Sequence, residues 1–391
     1  MPEVPGGPRI VVSGYYGFGN IGDEALLAGL LTGMREAAPE VSPVVLSADP
    51  TATTAVHGVE AVNRSSLSLV WRALHNSQGL LSGGGSLLQD VTSRRSIYYY
   101  LSVMALAQLL RRPYCLYGQG IGPIGRSAAQ WATRLVLQGS RGVWVRDRAS
   151  LTLVRELGAR PVQLSVVGDP AFLLPPVSSG EADALGPADG QRPVWVIAVR
   201  PWGDEAGWLP NLVTALGKAA TEAEASLVFL PMHQRTDAIL SEKMAQQIRN
   251  VYGVPVDVAE ACSFHGARQL LACADMVLAM RLHALMLAVA SVVPSVAISY
   301  DPKVEAFASE VGLPWIALGA LKASSGACQL RQMIVAAWRA SQEVTCQLKR
   351  HAGEQRKAAS QGLVAALGAL GVIPDRPKER AGQSGTRCDR T

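Results

Sequence analysis

The strongest chemical signal in the sequence is a set of three cations and a histidine. Met280-Arg281-Leu282-His283 closes one apolar run, and Arg200 and Lys303 stand at or just past the ends of two others in the same half of the chain. If these runs are strands of one parallel sheet, the cations gather at its carboxyl edge, where open α/β sheets bind ligands. Holding cations together away from water is costly unless an anion neutralises them. A multiply charged phosphate or carboxylate is the natural counter-ion, and arginine can grip either in bidentate fashion. His283, with an ordinary pKa of about 6.5, suits proton transfer at neutral pH or a hydrogen bond to the anion. A histidine beside an apolar helix is also commonly a plain core residue.

A second candidate lies in the first half, at Gly17-Phe18-Gly19-Asn20-Ile21-Gly22-Asp23-Glu24. Gly17, Gly19 and Gly22 fit the dinucleotide pattern GxGxxG. Asp23 and Glu24, however, fall in the first turn of the following helix, where they repel a pyrophosphate. Asp49, the acidic residue ending the next strand, lies 27 positions beyond Gly22, longer than the usual spacing of about 20. Two readings stay open here. One is a tight turn with acidic capping. The other is a sugar-binding loop in which Asp23 accepts a hydroxyl proton and Asn20 and Gly22 touch the sugar. Ser82-Gly83-Gly84-Gly85-Ser86 gives up backbone order at three successive glycines, which implies close approach of a ligand or of another chain segment. Gly84, and Gln119 in Tyr117-Gly118-Gln119-Gly120, join the candidate acceptor contacts. Val167-Gly168-Asp169-Pro170 is by itself only a turn.

Short Val-, Ile- and Leu-rich runs alternating with helix-length stretches must position these residues. Runs at 9–15, 44–48, 79–85, 114–120 and 142–147 read as buried strands, and runs at 194–200, 227–232, 276–281 and 295–300 repeat the scheme. Continuous apolar strands alternating with helices indicate parallel sheets covered on both faces. The stretch LPPVSSGEADALGPADGQRP breaks the alternation and reads as a linker. The expected architecture is α/β: two doubly wound Rossmann-like domains facing a cleft, in the GT-B manner. Residues 8–174 form the acceptor side, 175–192 the linker and 193–373 the donor side, and 374–391 form a polar, proline-broken tail.

Composition bounds the function. The chain has 391 residues, 49% hydrophobic and 17% charged, with a net charge of +5. That suits an anionic small substrate and falls short of the concentrated basic face of a nucleic-acid binder. The six cysteines (Cys115, Cys262, Cys273, Cys328, Cys346 and Cys388) show neither CxxC pairing nor a histidine at metal-ligand spacing. They read as reduced, mostly buried cytoplasmic thiols, with no metal site and no cofactor expected. The N-terminus lacks the pattern of a secretion signal. The apolar run from Ile97 to Leu110, bracketed by Arg94–Arg95 and Arg111–Arg112, is too short to span a bilayer. The composition is compatible with a protein peripheral to the inner face of the plasma membrane.

Taken in order, GFGNIGDEALL (17–27), GGGSLLQD (83–90), YGQGIGP (117–123), VRDRAS (145–150), GDPAF (168–172), LPMHQRTD (230–237), MRLHALMLA (280–288) and SYDPKV (299–304) resemble the polysaccharide pyruvyltransferase family, CsaB-type members above all. The resemblance covers about residues 9 to 320. It implies phosphoenolpyruvate as donor and a 4,6-linked pyruvate ketal on a hexose such as N-acetylmannosamine. It further implies a lipid-linked saccharide acceptor at the cytoplasmic membrane face. Arg281 and His283 match the donor-site arginine and histidine of the family's RLH motif, and Arg200 is similar to a further donor-binding arginine.

On that resemblance Arg281, Arg200 and Lys303 bind the donor. His283 protonates its methylene carbon, or only grips its phosphate, and Asp23 accepts the hydroxyl protons. The competing readings are a nucleotide-sugar glycosyltransferase on the same fold and a phosphate-responsive binding protein. A dinucleotide oxidoreductase fits least.

Overall fold

The computed structural model describes residues 7–91, 93–177, 192–259 and 263–373. Most of the expected linker and the whole expected tail lie outside the described residues.

The first sheet has seven strands: β1 (Arg9–Tyr16), β2 (Ser42–Ser47), β3 (Glu60–Asn63), β4 (Gly79–Leu88), β5 (Tyr114–Ile121), β6 (Gly142–Val145) and β7 (Leu164–Val166). All neighbours pair in parallel, in the order β3-β2-β1-β4-β5-β6-β7. The chain runs outwards through helices α1 (Ile21–Ala37) and α2 (Pro50–His57). It then crosses back through α3 (Leu67–His75), so that β4 is laid on the other side of β1. Helices α4 (Ser96–Leu109), α5 (Ser127–Gly139) and α6 (Arg148–Glu156) complete the half. The reversal between β1 and β4 opens a crevice at the carboxyl edge, the usual binding place in such sheets.

The second sheet repeats the plan with β8 (Val194–Ala198), β9 (Ser226–Phe229), β10 (Val256–Val258), β11 (Met276–Ala279), β12 (Ser295–Ser299) and β13 (Trp315–Ala317), in the order β10-β9-β8-β11-β12-β13. Its helices are α7 (Glu205–Ala223), α8 (Gln234–Tyr252), α9 (Phe264–Cys273), α10 (Leu282–Ala290), α11 (Pro302–Val311) and α12 (Gly326–Arg339). The switch point here falls between β8 and β11. The chain is thus the expected pair of doubly wound α/β domains.

The last helix, α13 (Ser341–Ala369), departs from the expected division at residue 193. Its Leu348 packs in the core of the second domain. Ala359, Leu363, Ala366 and Leu367 pack against Ile10, Val12 and Leu30 of the first. Tyr117 of β5 donates its hydroxyl to Ala359 O at 2.8 Å. The helix therefore straps the halves together, and residues 193–373 are not one self-contained unit. The four described cysteines also differ from expectation: Cys115 is buried and Cys273 partly so, whereas Cys328 and Cys346 are exposed. Among the described residues no helix is long and apolar enough to cross a membrane.

Candidate active site

The site begins where β1 turns into α1. Gly17 and Gly19 take φ of +77° and +72°, a region side chains avoid. Asn20 caps the helix by accepting the Gly22 N–H at 3.1 Å, and its amide donates to Asp23. Glu24 accepts the Gly17 N–H at 3.0 Å and meets His57 Nε2 at 2.7 Å, so it braces the loop. With the Gly22 N–H used and two carboxylates in the first turn, this helix start offers a pyrophosphate nothing.

The three glycines are explained by α1. Gly84 and Gly85 have φ of +48° and +79°. A Cβ on Gly84 would approach Leu26 to 3.0 Å, and one on Gly85 would approach Asp23 Oδ1 to 3.2 Å. The close approach of a chain segment is thus present, and Gly84 packs on Leu26 of α1. Gln119 is fully buried and donates to Ser82 Oγ at 2.6 Å. Its Oε1 is enclosed and has no hydrogen-bond partner among the described residues. Asn20, Gly22 and Asp23 do come together.

The second domain closes over this turn. Ile21 N–H donates to Met232 O at 2.9 Å, and Asn20 forms a single antiparallel bridge with His233. His283, in the first turn of α10, lies directly over Gly22: a Cβ there would be 2.5 Å from His283 Nδ1. His283 Nε2 is enclosed and has no hydrogen-bond partner.

The cations are arranged differently from the expectation. Strand register aligns Ala198 with Ala279, which sets Arg200 and Arg281 at equivalent places two residues further on. Their side chains then part. Arg281 holds both carboxylate oxygens of fully buried Asp237, with Nε to Oδ2 at 3.0 Å. Arg200 donates to the Tyr300 hydroxyl at 3.0 Å and lies over the rings of Trp202 and Tyr300. Lys303, at the start of α11, reaches into the first domain and donates to Ser86 Oγ at 3.1 Å and Gly122 O at 3.0 Å. Arg146, just after β6, donates to the same Ser86 Oγ at 3.0 Å and to Asp169 at 3.2 Å. The predicted trio is thus not one unneutralised cluster. Arg281 has its own counter-ion, and the partner of Lys303 is Arg146. The sequence reading gave no role to Arg146, Ser86, Asp169 or Asp237. Their common signal was position, since each stands in a motif at a strand's carboxyl end.

Burial sets the protonation states. Asp23 is pushed up to about 7, mainly by desolvation and then by the Glu24 charge, against the opposing pull of Arg146 and Arg281. His283 is pushed down to about 4, again mainly by desolvation; Asp169 opposes this, and Arg146 and Arg281 add to it. Lys303 is lowered by burial and by Arg146. At neutral pH His283 is therefore a neutral imidazole, and Asp23 holds its proton far more readily than an ordinary carboxyl.

The pattern of the polysaccharide pyruvyl transferase family matches residues 20–302, a span holding Asn20, Asp23, Ser86, Arg146, Asp237, Arg281 and His283 and ending one residue before Lys303. The chain belongs to that family. No curated protein matches it. Solved structures share its fold at low identity. UDP-GlcNAc 2-epimerase from Neisseria meningitidis, bound to UDP-GlcNAc, has a TM-score of 0.59 and 12% identity over 92% of this chain and 99% of that one. HepE of Anabaena in complex with UDP-glucose gives 0.59 and 15% over 93% and 98%. A glycosyltransferase from Rickettsia africae gives 0.56 and 12% over 94% and 96%. This polysaccharide pyruvyl transferase therefore has the two-domain fold shared by sugar-nucleotide epimerases and GT-B glycosyltransferases.

Proposed function

We propose that this chain transfers pyruvate from phosphoenolpyruvate to a hexose of a cell-wall polysaccharide precursor, forming a 4,6-ketal. The acceptor sugar would be N-acetylmannosamine on a lipid-linked saccharide at the cytoplasmic membrane face, as the resemblance to CsaB-type members implies. The observation that carries the donor assignment is the convergence of Arg146 and Lys303 on Ser86 Oγ from opposite domains. Arg146 also pairs with Asp169, whereas Lys303 has the Ser86 hydroxyl and a backbone carbonyl, and a phosphate oxygen in place of that hydroxyl would give both cations an anionic partner. Arg281 and Arg200 flank the site and suit the donor's carboxylate, Arg281 by exchanging part of its hold on Asp237. The chemistry calls for no cofactor and no metal.

The first step adds a proton to the methylene carbon of the enol phosphate and leaves an oxocarbenium-like C2. A sugar hydroxyl attacks C2 and loses its proton, the C2–O bond to phosphate breaks, and the second hydroxyl attacks C2 and gives its proton to the departing phosphate, closing the ketal. In our first reading His283 is the acid, its imidazole made basic by the incoming anion, and Asp23 takes the hydroxyl proton. The unliganded protonation states favour a second reading with the roles exchanged: Asp23 delivers the proton and the free Nε2 of His283 receives one.

The test incubates the full chain with phosphoenolpyruvate and an aryl N-acetylmannosaminide, following phosphate release and the mass gain of a pyruvate ketal. Tight binding of a UDP- or GDP-sugar without pyruvyl transfer would overturn the reading in favour of a glycosyltransferase. Run in heavy water with acceptor present, the same assay assigns the acid. Deuterium entry into the donor methylene should vanish in His283→Gln under the first reading and in Asp23→Asn under the second.

A further inference from the structure

Helix α4 breaks the usual rule for a surface helix. Its 14 residues contain no charged side chain, although an outward helix face normally carries polar and charged groups. Ile97, Tyr100, Leu101 and Met104 are buried against the sheet. Its outer face presents Tyr98, Ser102, Ala105 and Leu109 to solvent, with Leu109 79% exposed. The neighbouring helices, on the same side of the sheet, extend this surface. Leu67 and Trp71 of α3 are exposed, and with Leu106 they line a shallow groove between α3 and α4. On the other flank, Trp131 and Leu135 of α5 are exposed, Trp131 by 66%.

The charge around this surface has one sign. Between Ser65 and Ser140 stand seven arginines, no lysine and a single acidic residue, Asp90. The Asp90 carboxylate is taken up by the backbone N–H groups of Gly125 and Arg126, at 2.8 and 3.0 Å. The segment's net charge, seven against one, exceeds the +5 of the whole chain. Four of the arginines bracket α4 in pairs, Arg94–Arg95 at its start and Arg111–Arg112 at its end. Among the described residues none of the seven forms an ion pair.

We infer that the α3–α4–α5 face docks the enzyme on an anionic lipid bilayer. An uncharged helix about 21 Å long lies in the interfacial plane with Tyr98, Trp71 and Trp131 at headgroup level, where tryptophan and tyrosine are favoured. Leu67, Leu109 and Leu135 enter the acyl boundary, and the exposed Arg72, Arg94, Arg95, Arg111 and Arg134 reach lipid phosphates along their apolar stems. A nucleic acid would serve the arginines and leave the leucines without a partner. A second copy of this chain would set two positive faces against each other. The inference deepens the proposed reading. Ser86 lies near the carboxyl end of β4 and Arg94–Arg95 stand just before α4, so a bilayer on this face delivers a lipid-carried acceptor to the edge of the sheet that holds the site.

The test sediments the full chain, without substrates, with phosphatidylglycerol-containing vesicles and with pure phosphatidylcholine vesicles. Binding is expected to the anionic vesicles only and should weaken with salt. Each arginine is worth about one kcal/mol near such a surface, so Arg94→Glu/Arg95→Glu should lower partitioning by about 30-fold or more. Leu109→Ser/Trp131→Ser should lower it at unchanged charge, and matching thermal melts exclude misfolding. The inference is overturned if the wild type stays in the supernatant at low salt or if both variants sediment like it. It is equally overturned if light scattering shows a dimer that Leu109→Ser/Trp131→Ser dissociates, or if the face binds RNA and ignores vesicles. Turnover of a soluble glycoside tests the function separately: its failure with vesicle binding intact would sink the proposed reaction and leave the docking face standing.

Discussion

Lys303 of the second domain and Arg146 of the first meet at one hydroxyl, Ser86 Oγ, at 3.1 and 3.0 Å. On the proposed reading this bond between domains is also half of the donor's anion cradle, so donor binding and the contact between domains share one residue. Removing Lys303 should therefore cost donor affinity more than stability. One charge-assisted hydrogen bond to a phosphate is worth about 1.5–3 kcal/mol, so Lys303→Ala should weaken phosphoenolpyruvate binding by about 10- to 100-fold in calorimetry. Ser86→Ala should weaken it far less, because the hydroxyl only holds the place of the ligand. Equal losses in the two variants would show that Ser86, and not an anion, is what the cations serve.

Arg281 requires a different experiment, because its counter-ion is part of the fold. Asp237 is fully buried and takes both arms of the guanidinium. Arg281→Ala leaves that carboxylate with the His233 N–H and the Thr236 hydroxyl but no counter-ion, and breaking a buried ion pair typically costs about 3–5 kcal/mol. Urea denaturation should show this loss, and adding Asp237→Ala should restore much of the stability without restoring donor binding. If the double variant regains donor affinity as well, Arg281 acts only through Asp237.

Much of this was legible in the sequence. The nine expected strands all exist, because central parallel strands are continuous apolar runs flanked by turn residues. Glu60–Asn63, Leu164–Val166, Val256–Val258 and Trp315–Ala317 were not expected. They are edge or near-edge strands of three or four residues, partly exposed, too short to show a pattern. His283 and Asp23 stood out through residue type and place. Arg146 and Ser86 did not, since one arginine and one serine among many gain meaning only when Lys303, more than 150 residues away, is folded onto them. The error over Arg281 has the same origin: Asp237 lies 44 residues earlier, inside a helix whose approach to β11 no local pattern reveals.

Gly22 offers a sharp probe of the interdomain contact. In an isolated helix Gly22→Ala is favourable by about 1 kcal/mol. Here the new Cβ would sit 2.5 Å from His283 Nδ1, so the imidazole or the whole second domain must move. We expect kcat to fall by about 100-fold, the scale of a 1 Å misplacement, with the melting temperature little changed as propensity and clash offset each other. Wild-type turnover in this variant would mean that His283 can shift without consequence, which is incompatible with a role in proton transfer.

The pH dependence of stability separates the two buried groups even without substrate. Asp23 titrates at about 7 in the folded chain, against about 3.9 when unfolded. Because the folded value is raised, its contribution is complete below about pH 4 and is lost as pH rises through 7. His283 runs the other way. Its folded value of about 4 lies below the unfolded value of about 6.5, so its contribution is complete above pH 6.5 and is lost as pH falls through 4. Between pH 4 and 6.5 the folded chain thus holds one proton more at Asp23 and one fewer at His283 than the unfolded chain, and the two slopes cancel. Single substitutions remove the cancellation. Asp23→Asn should become more stable as pH rises from 4 to 6.5, and His283→Gln should become less stable from 4 to 7. Each change is at most about 4 kcal/mol, because a folded pKa some three pH units from its unfolded value can contribute no more than that. Chemical denaturation of the three proteins at pH 4.5, 5.5, 6.5 and 7.5 would reveal two lines of opposite slope about a flatter wild type. Parallel profiles for all three would mean that neither group carries the protonation state assigned to it, and both readings of the proton transfer would fall together.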